Sequence, residues 1–283
     1  MGGPKGSGTT YDILDGIRFA AGLTDYQLGN PGVSAPSGVK VINLSLGGVG
    51  TGPCTIFDDV RSEGITIVAA AGNSQLDFPN QATWPARCDG VIGVGALGVD
   101  DLRSSYSQVF NGVDIAAPGG DHEDLDGNGR IDYICAWYRD SGDSCIPGTS
   151  MASPQVAGAI GLLYHMDTNM TPAKVDTLLQ AGSLTVDILT TGKDNETGYG
   201  KLDLEIVLQA GLNAAGDSSN TYATIDKSLL NFGYSTNSIA ITVAKSGSGT
   251  LSVSSLAADD PNGLTYNASV DGQGFGTYTI NLD

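Results

Sequence analysis

A serine hydroxyl lies at the start of a predicted apolar helix, in the stretch Gly148–Gly158 (GTSMASPQVAG). Pro154 fits only the first turn of a helix, because it has no N–H to donate and its φ angle is already helical. Apolar residues then recur with a helical period at Val156, Ala159, Ile160 and Leu163. Because backbone N–H groups and the positive end of the helix dipole meet at Ser150, the site favours an anion. Ser150 is therefore a candidate nucleophile, and this position would stabilise the tetrahedral intermediate that its attack forms. The alternative is that Ser150 is only a helix cap.

A second candidate, Asn73, follows a predicted buried strand that ends in Ala69–Gly72. An asparagine amide held at a strand end can donate to an oxyanion, and removing such a donor costs catalysis roughly 3 kcal/mol. On its own, the Gly-Asn pair is more typical of an ordinary turn than of an oxyanion donor. The preceding strand ends in Ser45-Leu46-Gly47, whose backbone edge can pair with an extended peptide.

These segments together resemble the subtilisin-like serine proteases. The letters GTSMASP followed by VAG resemble the nucleophile segment of that family, with Gln155 where the family usually has a non-catalytic His. Ser45–Gly47 and Ala70–Asn73 resemble its substrate-binding strand and its oxyanion-hole segment, in the family's order along the chain. The resemblance extends from about Tyr11 to Gly211.

The resemblance implies a serine endopeptidase that hydrolyses protein or peptide substrates through an acyl-enzyme on Ser150. It implies Asn73 as the oxyanion-hole donor. It also implies that the pocket for the side chain before the scissile bond is lined by Ser45, Leu46, Gly47, Ala70, Ala71 and Gly72.

The triad of such an enzyme also needs a His that accepts the serine proton and an Asp that orients it. The sequence has two histidines, His122 and His165. His165 lies fifteen residues after Ser150 on the same predicted helix, which at about 1.5 Å per residue separates them by roughly 22 Å. His122 stands in an acidic loop without the family's His-Gly-Thr-His segment. We therefore expect the Asp and His segments upstream of Met1, and little activity from this chain alone.

Three hypotheses remain open at this point. The chain is the C-terminal portion of a secreted subtilisin-like endopeptidase, truncated at its N-terminus. Alternatively, it supplies Ser150 and Asn73 to a partner fragment that carries the Asp and His. The third is a non-catalytic protein that binds calcium or peptides.

A metal-binding pattern lies in the acidic loop Asp121–Asp132. It follows the first nine positions of an EF-hand-type loop, with Gly129 permitting the sharp turn. The candidate ligands are Asp124, Asp126, Asn128, the carbonyl of Arg130 and Asp132. The twelfth position is Cys135 instead of Glu, so a complete EF-hand is excluded. Oxygen ligands favour structural calcium, and similar inserts in secreted bacterial members of the family agree; the alternative is a solvated acidic loop.

Composition restricts the partners and the compartment. The formal net charge of −18 argues against nucleic acid or an anionic membrane as a partner and suits a secreted, calcium-binding protein. No apolar stretch is long enough to span a bilayer, and the first residues lack the apolar core of a signal peptide.

The four cysteines form no Cys-x-x-Cys pair, which argues against zinc. Their even number suits two disulfides outside the cytoplasm, although three pairings are possible and four free thiols are the alternative. We favour Cys54 with Cys88 and Cys135 with Cys145.

Alternating strands and helices must position these residues. Nearly continuous apolar strands at 39–46, 65–71, 91–97 and 113–117, separated by helical patterns, predict a doubly wound, mostly parallel α/β sheet. In such sheets ligands bind beyond the carboxyl ends of the strands. We expect a partial subtilisin-like peptidase domain over 1–213 and a linker over 214–221. Short alternating strands over 222–283 predict an Ig-like, sandwich-like β module, and the chain stops within a strand, which leaves its completeness open.

Overall fold

The computed structural model describes residues 8–23, 34–127, 129–137, 143–214, 222–225, 238–246, 251–253 and 264–282. The chain divides into two compact units, Met1–Ala215 and Gly216–Asp283. The predicted linker at 214–221 lies outside the described residues except for Ala214, which is the last residue of a helix. No helix in the described ranges is long and apolar enough to cross a bilayer.

The first unit alternates strands and helices. In chain order its elements are α1 Thr10–Ala20, β1 Val41–Leu44, β2 Gly48–Val49, α2 Thr55–Ser62, β3 Thr66–Ala70, β4 Thr83–Trp84, β5 Val91–Leu97, β6 Ile115–Pro118, β7 Ile134–Trp137, β8 Asp143–Ile146, α3 Thr149–Met166, α4 Pro172–Gln180, β9 Thr185–Val186, β10 Lys201–Leu202 and α5 Leu204–Ala214.

Six of these strands form the central sheet, in the order β1-β3-β5-β6-β10-β9. Pairing is parallel from β1 through β10, and only β9 is antiparallel to its neighbour. One face of the sheet packs against α3, α4 and α5, and the other packs against α1 and α2. Within β3, Val68 therefore belongs to the first core while Ile67 and Ala69 belong to the second. The predicted doubly wound α/β sheet is confirmed.

Helix boundaries follow the sequence signals only in part. The prediction that Pro154 lies in the first turn of its helix is wrong, because α3 already begins at Thr149 and Pro154 is its sixth residue. Thr9 caps α1 through a reciprocal pair of hydrogen bonds with Asp12, as its position before an apolar helical pattern predicts. Pro172 occupies the first turn of α4, where its missing N–H leaves no helical hydrogen bond unmade. Pro53 directly precedes Cys54, the N-cap of α2, and the helix itself begins at Thr55.

Both favoured disulfides are present. Cys54–Cys88 joins the N-cap of α2 to the turn before β5, with a Cα–Cα distance of 5.4 Å. Cys135–Cys145 joins directly opposite residues of the β7–β8 hairpin, with a Cα–Cα distance of 4.0 Å.

The second unit contains β11 Tyr222–Ile225, β12 Ser238–Ser246, β13 Leu264–Val270 and β14 Gly276–Leu282. They form one antiparallel sheet in the order β11-β12-β14-β13. Its core consists of Ile241, Val243, Phe275, Tyr278 and Ile280. The predicted all-β module is thus present as a sheet, and the second sheet of a sandwich is not among the strands described.

Candidate active site

The carboxyl ends of β1 and β3 lie side by side, since Leu44 pairs with Ala69 in the parallel sheet. The segment Ser45–Gly47 leaves β1, and Ala71–Asn73 leaves β3. Helix α3, which carries Ser150, packs against both strands. The fold therefore brings the predicted nucleophile, the predicted oxyanion donor and the predicted pocket residues to one edge of the sheet.

Thr149 fixes the orientation of the Asn73 side chain. The Thr149 N–H donates to Asn73 Oδ1 at 3.0 Å, and the Thr149 hydroxyl donates to the same oxygen at 2.7 Å. Thr149 Oγ1 in turn accepts a hydrogen bond from the N–H of Gly72 at 3.1 Å. Because Oδ1 accepts both donors, the amide nitrogen must face the other way. It lies beside Gly148, where a Cβ atom would come within 3.2 Å of Asn73 Nδ2.

Ser150 is half-buried in the first turn of α3 and is linked to the end of β1. Its hydroxyl donates weakly to the Ser45 carbonyl at 3.4 Å, and the Ser45 hydroxyl donates to the Ser150 carbonyl at 2.9 Å. The network continues because Asn43 Nδ2 donates to the Ser45 hydroxyl, while the buried Ser153 hydroxyl donates to Asn43 Oδ1. These bonds hold the turn that carries Ser150 against the strand end that carries the predicted pocket residues.

The floor between the two strand ends is formed by β4, which pairs with β2. A Cβ atom on Gly72 would come within 2.9 Å of Thr83 Cγ2, and one on Gly47 would come within 2.5 Å of the Trp84 carbonyl oxygen. The Thr83 hydroxyl donates to the carbonyl of the buried Ala71. The backbones of the predicted pocket segments therefore lie directly against Thr83 and Trp84, which leaves no room for larger residues at either glycine.

No pattern in the sequence points to Thr83 or Trp84 as part of the site. A two-residue strand is too short to show a hydrophobic period, so no local signal marks it. The remaining predicted pocket residues lie where the strand ends require, with Ala70 buried and Leu46 half-buried against the second core.

Hydrogen bonds join the end of β6 to the first turns of α3. The Gly148 N–H donates to the Gly119 carbonyl at 2.9 Å, and Gln155 Nε2 donates to the Pro118 carbonyl at 2.7 Å. Gln155, the one departure from the family's motif, thus anchors the helix that carries Ser150.

Tyr106 forms hydrogen bonds to the backbone that follows β6, to which the start of α3 is bonded. Its buried hydroxyl donates to the carbonyls of Gly119 and Gly120, at 3.0 and 2.7 Å. Burial raises the pKa of Tyr106 to about 12, so the hydroxyl keeps its proton at physiological pH. The backbone that accepts the Gly148 N–H is therefore held by a permanent donor.

Neither histidine is a hydrogen-bond partner of Ser150 in the described structure. The ring of His122 packs edge-on against Tyr106 and Tyr133, with centroid distances of 5.6 and 6.3 Å. His165 is exposed near the other end of α3, roughly 22 Å along the helix axis from Ser150.

The acidic loop brings three carboxylates together. Oxygen atoms of Asp124, Asp126 and Asp132 lie within 4.8 Å of one another. Asp132 Oδ2 accepts the Leu125 N–H at 2.7 Å, and Gly129 adopts a φ of +83°, the left-handed conformation that the predicted sharp turn needs. Arg130 is exposed in the same loop, and Asn128 lies outside the described residues. An all-oxygen donor set of this kind suits a hard divalent cation.

Comparisons with known proteins agree with the fold. The family model for the subtilase family matches residues 1–200. An extracellular protease of Xanthomonas campestris pv. campestris is 37% identical over 180 residues, 62% of this chain and 29% of that protein. Subtilisin DY of Bacillus licheniformis is 33% identical over 174 residues, 60% of this chain and 54% of that protein. A solved protease structure from Pseudoalteromonas arctica aligns with a TM-score of 0.58 and 29% identity, over 72% of this chain and 60% of that chain. This chain spans less than two thirds of the length of each.

Proposed function

Because the chain belongs to the subtilase family, we propose that it carries the nucleophile and the oxyanion hole of a serine endopeptidase. The observation that carries the proposal is the pair of hydrogen bonds from Thr149 to Asn73 Oδ1, directly beside Ser150. This arrangement turns the Asn73 amide nitrogen toward the start of α3, where an oxyanion would be bound.

In the proposed reaction, Ser150 Oγ attacks the carbonyl carbon of the scissile peptide bond. The carbonyl oxygen becomes an oxyanion that accepts hydrogen bonds from Asn73 Nδ2 and from the backbone N–H of Ser150. That N–H belongs to the first helical turn, and among the described residues it has no hydrogen-bond partner. Collapse of the intermediate expels the amine and leaves an ester on Ser150, which water then hydrolyses.

The proton of Ser150 needs a base other than His122 and His165. The packing of His122 between two tyrosines and the length of α3 both support this requirement. We propose that a segment or a separate chain carrying a His and an Asp supplies the base and its orienting carboxylate. Without them, the oxyanion hole and binding alone leave an acceleration of roughly a thousandfold to ten-thousandfold over water.

Chemical rescue tests this proposal. Imidazole added to the chain as an exogenous base should increase cleavage of an N-acyl-dipeptide nitrophenyl ester more than it does with the Ser150→Ala variant, which controls for catalysis by imidazole alone. Without imidazole, a fluorophosphonate probe should label Ser150 only weakly. Equal rates for the two chains, or rapid labelling without any added base, would contradict the proposed division of the triad.

A second candidate is a chain that binds peptides without cleaving them. It is favoured by the Ser150 hydroxyl pointing to the Ser45 carbonyl and not to a base. This alternative predicts peptide binding without a Ser150-dependent rate at any imidazole concentration.

We also propose that the acidic loop binds a structural calcium ion. Asp124, Asp126 and Asp132 would supply carboxylate oxygens, with the Arg130 carbonyl and Asn128 as further candidates. The ion would neutralise carboxylates that otherwise repel one another. The similarity to proteases described as extracellular, together with two disulfides, supports secretion and action on protein substrates.

A further inference from the structure

Helix α3 contains a proline one turn after Ser150. Pro154 is the sixth residue of the helix, so it lies beyond the first turn. A proline inside a helix cannot donate to the carbonyl four residues earlier, and its ring clashes with that oxygen. The carbonyl affected is that of Ser150, the candidate nucleophile. The residue type least suited to a helix interior therefore stands at the position that controls the Ser150 carbonyl.

The Ser150 carbonyl has a different partner. The Ser45 hydroxyl, at the end of β1, donates to it at 2.9 Å. A hydroxyl has a single proton to donate, and Asn43 Nδ2 donates to the oxygen of this same hydroxyl at 3.0 Å. The hydrogen bond that Pro154 cannot make inside the helix is thus replaced by one from the neighbouring strand.

A second hydrogen bond joins the same two elements. The Ser153 hydroxyl is fully buried and donates to Asn43 Oδ1 at 2.6 Å. Ser150 and Ser153 are three residues apart, so they lie on one face of α3. Asn43 and Ser45 contact that face from the end of β1. The helix is therefore attached to the strand end at two points, which restrict its rotation and with it the direction of the Ser150 side chain.

The direction of that side chain matters for the proposed reaction, because a misplacement of about 1 Å can slow catalysis about a hundredfold. Resting on the proposed function, we infer that Ser45 is a positioning residue for Ser150, and that Pro154 keeps the Ser150 carbonyl available to it. Ser45 acts through the backbone of Ser150 and not on the reacting atoms. With alanine at position 154, the helix would supply its own N–H to that carbonyl.

A double-mutant cycle of Ser45→Ala and Pro154→Ala tests this inference. In the unmodified chain, Ser45→Ala should lower the imidazole-stimulated, Ser150-dependent kcat about fivefold and leave KM nearly unchanged, because one hydrogen bond to the backbone of the nucleophile is lost. In the Pro154→Ala chain, the same change should lower kcat by less than about twofold, because the helix then holds that carbonyl. Ser45→Thr keeps the hydroxyl and should retain the rate.

The thermal midpoint of the first unit gives a readout that needs no catalysis. Ser45→Ala should lower it by about 2 to 4 °C in the unmodified chain and by about 1 °C or less in the Pro154→Ala chain. Ser62→Ala is the matched control, because the Ser62 hydroxyl donates to the Asp59 carbonyl within α2. Its effect should be the same in both chains.

Two results would overturn the inference. One is an equal effect of Ser45→Ala on the midpoint with and without Pro154. The other is an unchanged kcat in Ser45→Ala while imidazole rescue of the unmodified chain succeeds. A failure of imidazole rescue together with unequal midpoint effects would discard the proposed catalysis and retain the positioning of Ser150 by Ser45.

Discussion

Thr149 and Asn73 are joined by two hydrogen bonds that converge on a single oxygen, Asn73 Oδ1. Thr149 is buried whereas Asn73 is exposed, so a rigid core residue sets the orientation of a surface amide. The residue that precedes the candidate nucleophile thus determines which way the candidate oxyanion donor points.

Replacing Thr149 by Val should weaken the oxyanion hole while the nucleophile stays in place. The change removes one donor to Asn73 Oδ1 and the acceptor of the Gly72 N–H. One lost hydrogen bond is worth about 1 kcal/mol, so imidazole-stimulated, Ser150-dependent ester cleavage should fall by roughly fivefold. Thr149→Ser keeps the hydroxyl and serves as the matched control. Equal rates for the Val and Ser variants would argue against a positioning role.

Replacing Asn73 by Asp tests the donor function of the side-chain amide separately from its acceptor function. The carboxylate still accepts both hydrogen bonds from Thr149, but it cannot donate to an oxyanion. The Ser150-dependent rate with imidazole should drop by about a hundredfold to a thousandfold, while the thermal midpoint changes little. A rate close to that of the unmodified chain would remove Asn73 from the proposed mechanism.

Calcium should stabilise the first unit. At a concentration about a hundredfold above its dissociation constant, a ligand that binds only the folded state adds about 2.7 kcal/mol to the free energy of unfolding. We therefore expect calcium to raise the thermal midpoint and EGTA to reverse the effect, with both responses reduced in Asp126→Asn. Glu123→Gln removes an equal charge from the same loop but not from the carboxylate cluster, and should respond normally. Identical responses of the two variants would indicate general charge screening.

Tyr106 should give a recognisable dependence of stability on alkaline pH. The pKa of Tyr106 is raised to about 12 by burial, whereas in the unfolded chain it ionises near its ordinary value of about 10. The unfolded state therefore loses this proton first, and the contribution of Tyr106 to stability declines as pH rises above about 10. Urea unfolding between about pH 9 and 11 should show a shrinking difference between the unmodified chain and Tyr106→Phe. Tyr266→Phe, which changes an exposed tyrosine, should show no such trend.

Much of the fold follows from local sequence signals. The apolar strands, the Thr9 and Pro172 helix starts and the period after Ser150 are each encoded within a few residues, because hydrogen bonding and burial repeat along the element itself. The favoured disulfide pairs were also confirmed. The roles of Ser150, Asn73 and the calcium ligands remain predictions.

Other features depend on contacts between distant segments. Thr83 and Trp84 form the floor below Gly72 and Gly47 only because β4 pairs with β2, more than thirty residues earlier. The packing of His122 between two tyrosines likewise depends on how the acidic loop folds over Tyr106.

The sequence by itself determined the type of fold and the segment that carries the candidate nucleophile. The reason is that a helix start, a buried strand and a nucleophile motif each depend on residues that are adjacent in the chain. Only the tertiary structure decided which groups meet: the bonds from Thr149 to Asn73 and the link from Gly148 to Gly119. The physical reason is that strand order and the packing of loops over the sheet edge arise from the whole chain burying its apolar surface, which no short segment encodes.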